Sequence, residues 1–316
     1  MKLLEAAVLI KKKALELGFS ACGIAKADAV DEEAVRENEE WLNRGCAAGM
    51  DYLNKNKDKR YDPRLLFPGA KTLIVTAMNY YPSKIMNSDI TFSYYSYGMD
   101  YHFVVKKYLT LLYNYIEKDL FHLLDVEKPL EGRAFTDSAP LMERYWAKRA
   151  GIGFQGKNQL IIIPHVGSFC FIGTLILNID LPADRPLEIS CGNCLRCHES
   201  CPTHALSDGF LDSAKCISYQ TIENRSMEIP PDVVKAMQSR VYGCDVCQLA
   251  CPWNRDVKPT TIPEFEPSES FLNLGSEALK NLRNGEFKRM FYCSAISRVG
   301  LKGLKRNISS VKNTAQ

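Results

Sequence analysis

Eight of the chain's twelve cysteines fall between residues 191 and 251, and their spacing leaves few folds open. Cys191, Cys194, Cys197 and Cys201 stand as C-x2-C-x2-C-x3-C, followed by Pro202. So tight a turn presents three sulfurs to three corners of one iron–sulfur cube, while the fourth thiolate reaches a second cluster. A second run, Cys244, Cys247 and Cys251 with Pro252, lacks one member, and Cys216 is the nearby candidate to complete it. Crossed ligation then gives Cys191, Cys194, Cys197 and Cys251 to one [4Fe–4S] cluster. It gives Cys201, Cys216, Cys244 and Cys247 to the other. Structural zinc also favours paired C-x2-C motifs. Three cysteines at successive x2 spacings before C-P are not a usual zinc pattern, however, and neither set needs His198 or His204. Cys22, Cys46, Cys170 and Cys293 are scattered and read as small buried hydrophobes.

Clustered thiols suit a reducing compartment, and the N-terminus argues for the cytoplasm too. MKLLEAAVLIKKKALELGFS has its charge after the apolar run and reads as an amphipathic helix with a face around Leu4, Val8 and Leu15, not a signal peptide. No stretch approaches the roughly 20 apolar residues that cross a bilayer, so no membrane partner is expected. The net charge of +3 is uneven. Residues 281–316 hold eight Lys/Arg and one Glu, whereas the rest is mildly acidic. Such a tail either grips an anionic partner or is a solvated helix face.

The expected fold class is α+β, in three parts. Residues 1–185 form an α/β unit with a mainly antiparallel sheet, 186–258 a ferredoxin-like two-cluster domain, and 259–316 a short helical basic segment. Within the first part, Thr72–Met78 (TLIVTAM) is a buried strand by its length and β-branched content. Tyr101–Leu120 is a helix with a stripe at Val104, Val105, Tyr108, Leu112 and Ile116, and Leu141–Ala150 is another. Gln159–Ile163 and Phe169–Leu181 are strands joined by PHVGS into an antiparallel hairpin. LPADRP (181–186) reads as a linker. No sequence repeat is apparent.

Two clusters make a wire, and the preceding 185 residues are the place for its terminus. No dinucleotide fingerprint is present: Gly151-x-Gly153-x-x-Gly156 follows a helix, not a strand. Asp100-Tyr101-His102 begins like the Asp-x-His-x-x-Gly signature of cobalt-ligating histidines, but Val105 stands in the glycine place. Histidine-ligated cobalamin is therefore not supported. Asp137 has two readings, an N-cap for the helix after Pro140 or an acid.

FTDSAPLMERYWAKRAGIGFQGKN (135–158), GSFCFIGTLIL (167–177), CGNCLRCHESCPTHAL, CISYQTIENR and YGCDVCQLACPWNR follow one another in the chain. With KRYDPRLLFPGAK (59–71) and YGMDYH (97–102), they cover it to about residue 307. This series resembles the epoxyqueuosine reductase family, cobalamin-dependent iron–sulfur enzymes that finish queuosine in tRNA. The resemblance implies that residues 1–185 bind cobalamin with no protein histidine on cobalt. It also implies that the clusters resupply two electrons and that Asp137 is the catalytic acid, protonating the oxygen of the opening epoxide. Apolar enclosure is expected to raise the Asp137 pKa. The cofactor contacts implied are Arg60, Tyr97, Asp100, Asp137, Lys157, Ser218, Tyr219 and Arg225.

The implied partners are tRNA carrying epoxyqueuosine, met by a monomer, and an external donor such as a flavodoxin or ferredoxin system. Many members continue into a longer C-terminal repeat of paired helices, of which FKRMFYCSAISRVGLKGLKRNI looks like the beginning. Lys302, Lys305 and Arg306 are the candidate phosphate contacts there. A reductive dehalogenase would use the same cofactors but usually carries an export signal. A plain electron carrier would lack cobalamin.

Overall fold

A computed structural model of the chain describes residues 2–124, 129–207 and 209–312. At its centre lies a four-stranded antiparallel sheet in the order Ala21–Lys26, Thr72–Asn79, Cys170–Leu177, Gly132–Phe135. Thr72–Asn79 is paired on both sides, with Ile74 opposite both Ile24 and Leu175. Side chains alternate along a strand, so Ile74 and Met78 join one core while Leu73, Val75 and Ala77 join another. Helices Lys2–Glu16 and Tyr101–Asp119 cover the first face with Ile10, Val105, Leu109 and Leu112. Helix Glu143–Arg149 covers the second with Trp146 and Ala147. Burial on both faces explains why TLIVTAM carries no charge, its two threonines donating to the Ile179 and Gly173 carbonyls.

The first helix meets the sheet with a face other than the expected one. Ala6, Ala7, Ile10 and Ala14 are buried, whereas Leu4, Val8 and Leu15 are exposed. Small side chains let the helix approach closely, so the bulky stripe lies outside. Close approach recurs at Gly23, where a Cβ would sit 2.0 Å from the Ala150 carbonyl oxygen at the end of helix Glu143–Arg149.

The expected hairpin shrinks to one antiparallel bridge, Ile163 with Gly167, that closes the turn. Ile161–Ile162 pairs with Phe154–Gln155, while Cys170–Leu177 belongs to the central sheet. The turn between them is drawn onto the cysteine-rich segment, because Asn254 Oδ1 accepts the Ser168 N–H at 2.7 Å. LPADRP is not a free linker either: Leu181 is buried, and Asp184 accepts from the Ile24 N–H and from Lys11 Nζ.

The cysteine-rich segment contains a repeat, contrary to expectation. Cys194, Cys197, Cys201 and Pro202 recur fifty positions later as Cys244, Cys247, Cys251 and Pro252. Each half builds a one-turn helix, Arg196–Glu199 and Val246–Leu249. The backbone bond from Cys201 to His198 is matched by one from Cys251 to Gln248. Val241 occupies the place equivalent to Cys191, which leaves the second half one thiol short.

A further core joins distant parts of the chain: Ile90 and Phe92, Ile217 to Tyr242, and Phe271 to Val311. It carries a short parallel pairing of Arg240–Tyr242 with Thr91–Phe92. No helix among the described residues is long and apolar enough to cross a membrane.

Candidate active site

Where these cores meet lies a cavity of about 360 Å³. Asp100, Tyr101, His102 and Asp137 line it, as do Cys216, Ser218 and Tyr219 from the cysteine-rich segment, and Arg298 from the C-terminal segment.

Asp137 leaves the end of strand Gly132–Phe135 with φ at +55°, in the left-handed region that Asp tolerates better than most residues. Thr136 anchors the turn by donating its hydroxyl to the Ile172 carbonyl, and the Asp137 N–H donates to Glu143 Oε1 at 2.7 Å. Its carboxylate caps no helix: the N-cap of Glu143–Arg149 is Met142. Instead Oδ2 accepts the Tyr101 hydroxyl at 2.5 Å and lies 3.4 Å from His102 Nε2. Asp100, the N-cap of helix Tyr101–Asp119, receives the His102 N–H and holds His102 Nδ1 at 2.7 Å. Phe171 on the central sheet stacks on the Tyr101 ring, 4.3 Å between centroids and 8° from parallel. Sheet and helix together thus fix the group that faces the acid.

Charge in this cluster departs from expectation. Burial pushes the Asp137 carboxyl up, but hydrogen bonds from His102 and Tyr101 and the charge of Arg298 outweigh it and leave the group below its usual range. Its side chain is 52 % exposed, and these polar partners, not apolar enclosure, decide its charge, contrary to the expectation from sequence. Bonds to Asp100 and Asp137 raise His102 to about 9. Desolvation and the neighbouring Asp137 raise Glu143 to about 8. In this form protons reside on His102 and Glu143, with Asp137 ionised.

The implied contact residues separate into two groups. Asp100, Asp137, Ser218 and Tyr219 line the cavity. Tyr219 also receives the Gly49 N–H, tying its wall to the loop that contributes Met50. Arg60, on helix Lys57–Tyr61, lies outside the lining, and its buried Nε has no hydrogen-bond partner among the described residues. The remaining three are engaged elsewhere. Tyr97 is buried in the third core, its hydroxyl accepting the Met86 N–H. Lys157 donates to the Gly192 carbonyl beside Cys191. Arg225 donates to the Arg298 carbonyl, steadying a wall residue from behind. Sequence reasoning missed Tyr101, His102, Glu143 and Arg298 as site residues. The signal for the first two was the Asp100-Tyr101-His102 triplet, set aside once its cobalt role failed.

The eight thiols act on one another electrostatically in two groups. Burial raises Cys197 and Cys251, and Cys191 opposes ionisation of both, with Cys194 also acting on Cys251. Burial likewise raises Cys216, Cys244 and Cys247. Cys201 adds to the effect at Cys216, Cys216 at Cys244, and Cys244, Cys216 and Cys201 at Cys247. Each of these neighbours belongs to the crossed set inferred from spacing. Neighbouring thiols of this kind are suited to metal, which replaces their protons on binding.

Residues 190–254 match the family model for a 4Fe-4S double cluster binding domain, and residues 60–138 match that for epoxyqueuosine reductase QueG, DUF1730. The chain is 43 % identical over 304 residues to the epoxyqueuosine reductase of Leadbetterella byssophila, covering 96 % of this chain and 97 % of that one. The chain belongs to the epoxyqueuosine reductase family. The Synechocystis member is 37 % identical, with 90 % of this chain and 98 % of that one covered. Among solved structures, the family member from Streptococcus thermophilus aligns with a TM-score of 0.84 at 31 % identity, covering 98 % of this chain and 81 % of that one. An epoxyqueuosine reductase bound to an epoxyqueuosine-modified tRNA-Tyr stem loop aligns at 0.87 and 29 %, covering 99 % and 82 %.

Proposed function

We propose that the protein reduces epoxyqueuosine to queuosine at the wobble position of tRNA, using cobalamin and two [4Fe–4S] clusters, with Asp137 as proton donor. The observation that carries the reading is that Asp137 and Cys216 line one cavity. A proton source and an electron terminus thus border the space where a substrate fits.

The clusters are ligated in the crossed sets, Cys191, Cys194, Cys197 and Cys251 against Cys201, Cys216, Cys244 and Cys247. The second, by way of Cys216, borders the cavity. Cobalamin, held mainly by residues 1–185, supplies a low-valent cobalt centre able to deliver electrons to the epoxide. Arg60 suits that group because its orphaned Nε is a donor awaiting an acceptor, and Ser218 and Tyr219 offer hydroxyls beside the cluster-two thiol. Asp100, Tyr101 and His102 orient Asp137, and Arg298, paired with Glu223 at 2.8 Å, adds positive charge where an anionic oxygen develops. Residues 186–258 carry the clusters, and the C-terminal segment adds Ala295 and Arg298 to the wall.

The natural substrate is tRNA in the cytoplasm, met by a monomer reduced by a flavodoxin or ferredoxin system. The test is anaerobic purification with iron, sulfide and cobalt analysis, then assay on an epoxyqueuosine-bearing stem loop. Conversion to queuosine is expected. Full cofactor content without conversion would refute the reading.

A further inference from the structure

We propose that His102, oriented by Asp100, is the proton relay that recharges Asp137 during turnover. The inference rests on the proposed epoxide reduction. Removing an epoxide oxygen to leave a carbon–carbon double bond consumes two electrons and two protons and releases water. One proton goes to the oxygen as the first C–O bond opens, and the second is needed for that oxygen to depart. Asp137 is ionised at rest and passes on one proton at a time, so a donor must reach the same place to load it.

His102 is placed for that task. Its Nδ1 is held by Asp100 Oδ1 at 2.7 Å, which directs the N–H at Nε2 towards Asp137 Oδ2, 3.4 Å away. Catalytic hydrogen bonds are commonly long before substrate binds and shorten in the complex. Because Asp137 is ionised at rest, its carboxylate takes the Nε2 proton as charge develops on the epoxide oxygen and hands it on to that oxygen. Neutral His102 regains one from solvent through the open cavity. Tyr101 shares Oδ2 but cannot serve instead, because burial beside Asp137 pushes its hydroxyl far above the ordinary phenol range. The imidazole, by contrast, is raised to about 9 and is charged at neutral pH. The titratable and charged groups facing this pair are Asp100, Tyr101, Glu143 and Arg298. This gives the Asp100-Tyr101-His102 triplet a role that involves no cobalt ligation.

The test compares wild type, His102→Gln and Asp100→Asn, all loaded with cofactors and reduced before mixing with an epoxyqueuosine stem loop. Asn caps a helix as well as Asp, so Asp100→Asn keeps the fold while weakening the hold on Nδ1. Wild-type single-turnover rates should fall as pH rises through about 9, where His102 loses its proton. His102→Gln should be slower by about 100-fold, lose that alkaline limb and be partly rescued by added imidazole. Independently of activity, labelled-imidazole NMR of the five histidines in the cofactor-free protein should show one titrating near 9 that is absent in His102→Gln. In Asp137→Asn that titration should move down. A His102→Gln enzyme with wild-type rate and pH profile would overturn the relay. So would a slow variant that keeps the alkaline limb and ignores imidazole, since Glu143 or packing would then be responsible. If wild type itself converts no substrate, the functional reading fails instead, and the NMR titration still reports on the His102–Asp137 couple.

Discussion

Asp137 and Cys216 line one cavity although they come from different parts of the chain, Asp137 from the exit of a sheet strand and Cys216 from the N-cap of helix Ile217–Ile222. Chemistry that needs a proton and electrons in one place depends on this meeting.

Asp137→Asn should cut turnover by roughly 100-fold to 10,000-fold, the usual worth of a positioned general acid. Folding should be nearly unchanged, because Asn tolerates the positive φ at this position and can still accept from Tyr101. Asp137→Ala should lose the same activity and some stability as well. Single-turnover assay and thermal melts of both variants check this, and near-normal turnover in Asp137→Asn with all cofactors bound would remove the assignment.

Cys216→Ala should take one cluster and spare the other. Iron content should drop from eight towards about four per chain, and conversion of the stem loop should stop because the cluster lost is the one at the cavity. Cys191→Ala should lose the partner cluster instead. Iron analysis with electron paramagnetic resonance distinguishes the two, and eight irons with unchanged spectra in Cys216→Ala would exclude it as a ligand.

Glu143→Gln should stabilise the protein in alkali. A carboxyl raised in the folded state binds its proton more tightly there than when unfolded. Stability is therefore lost as pH rises from about 4.5 through about 8. Gln keeps the acceptor for the Asp137 N–H and never ionises. The melting temperature of the variant should match wild type near pH 4.5 and exceed it by roughly 2 °C or more at pH 8.5. Parallel melting curves across that window would remove Glu143 from the account.

Neutralising Lys302 and Lys305 should weaken stem-loop binding and flatten its dependence on salt. Arg306 does not belong with them, contrary to the sequence-based expectation. Its guanidinium donates to the carbonyls of Gln220, Asn224 and Ser226, so it is a structural clamp. Arg306→Gln should lower thermal stability, whereas the lysine pair should leave it unchanged. A salt slope identical to wild type in the lysine variant would assign both charges to solvent.

Legibility in the sequence followed the reach of the interactions involved. The double-cluster segment could be read because its cysteine spacing is local, and helix Tyr101–Asp119 because its stripe repeats within one element. The first helix misled because alanines meet the sheet while leucines face water. The overlong hairpin came from treating a turn as self-sufficient when Asn254, some ninety residues on, holds it. Asp137 looked like a cap because the helix it precedes was expected to begin sooner than Glu143. His102 and Arg298 became visible only when three segments met at one cavity.

The core that binds Ile90 and Phe92 to Leu304 and Ile308 has a consequence for biosynthesis. Contacts between residues more than two hundred positions apart cannot form until the later ones have been made. The cysteine-rich segment therefore leaves the exit tunnel before the residues that seal its surroundings exist. Until Leu304 and Ile308 have been made, the core that packs around Ile217 to Tyr242 stays open, and the thiols beside it lack their finished surroundings.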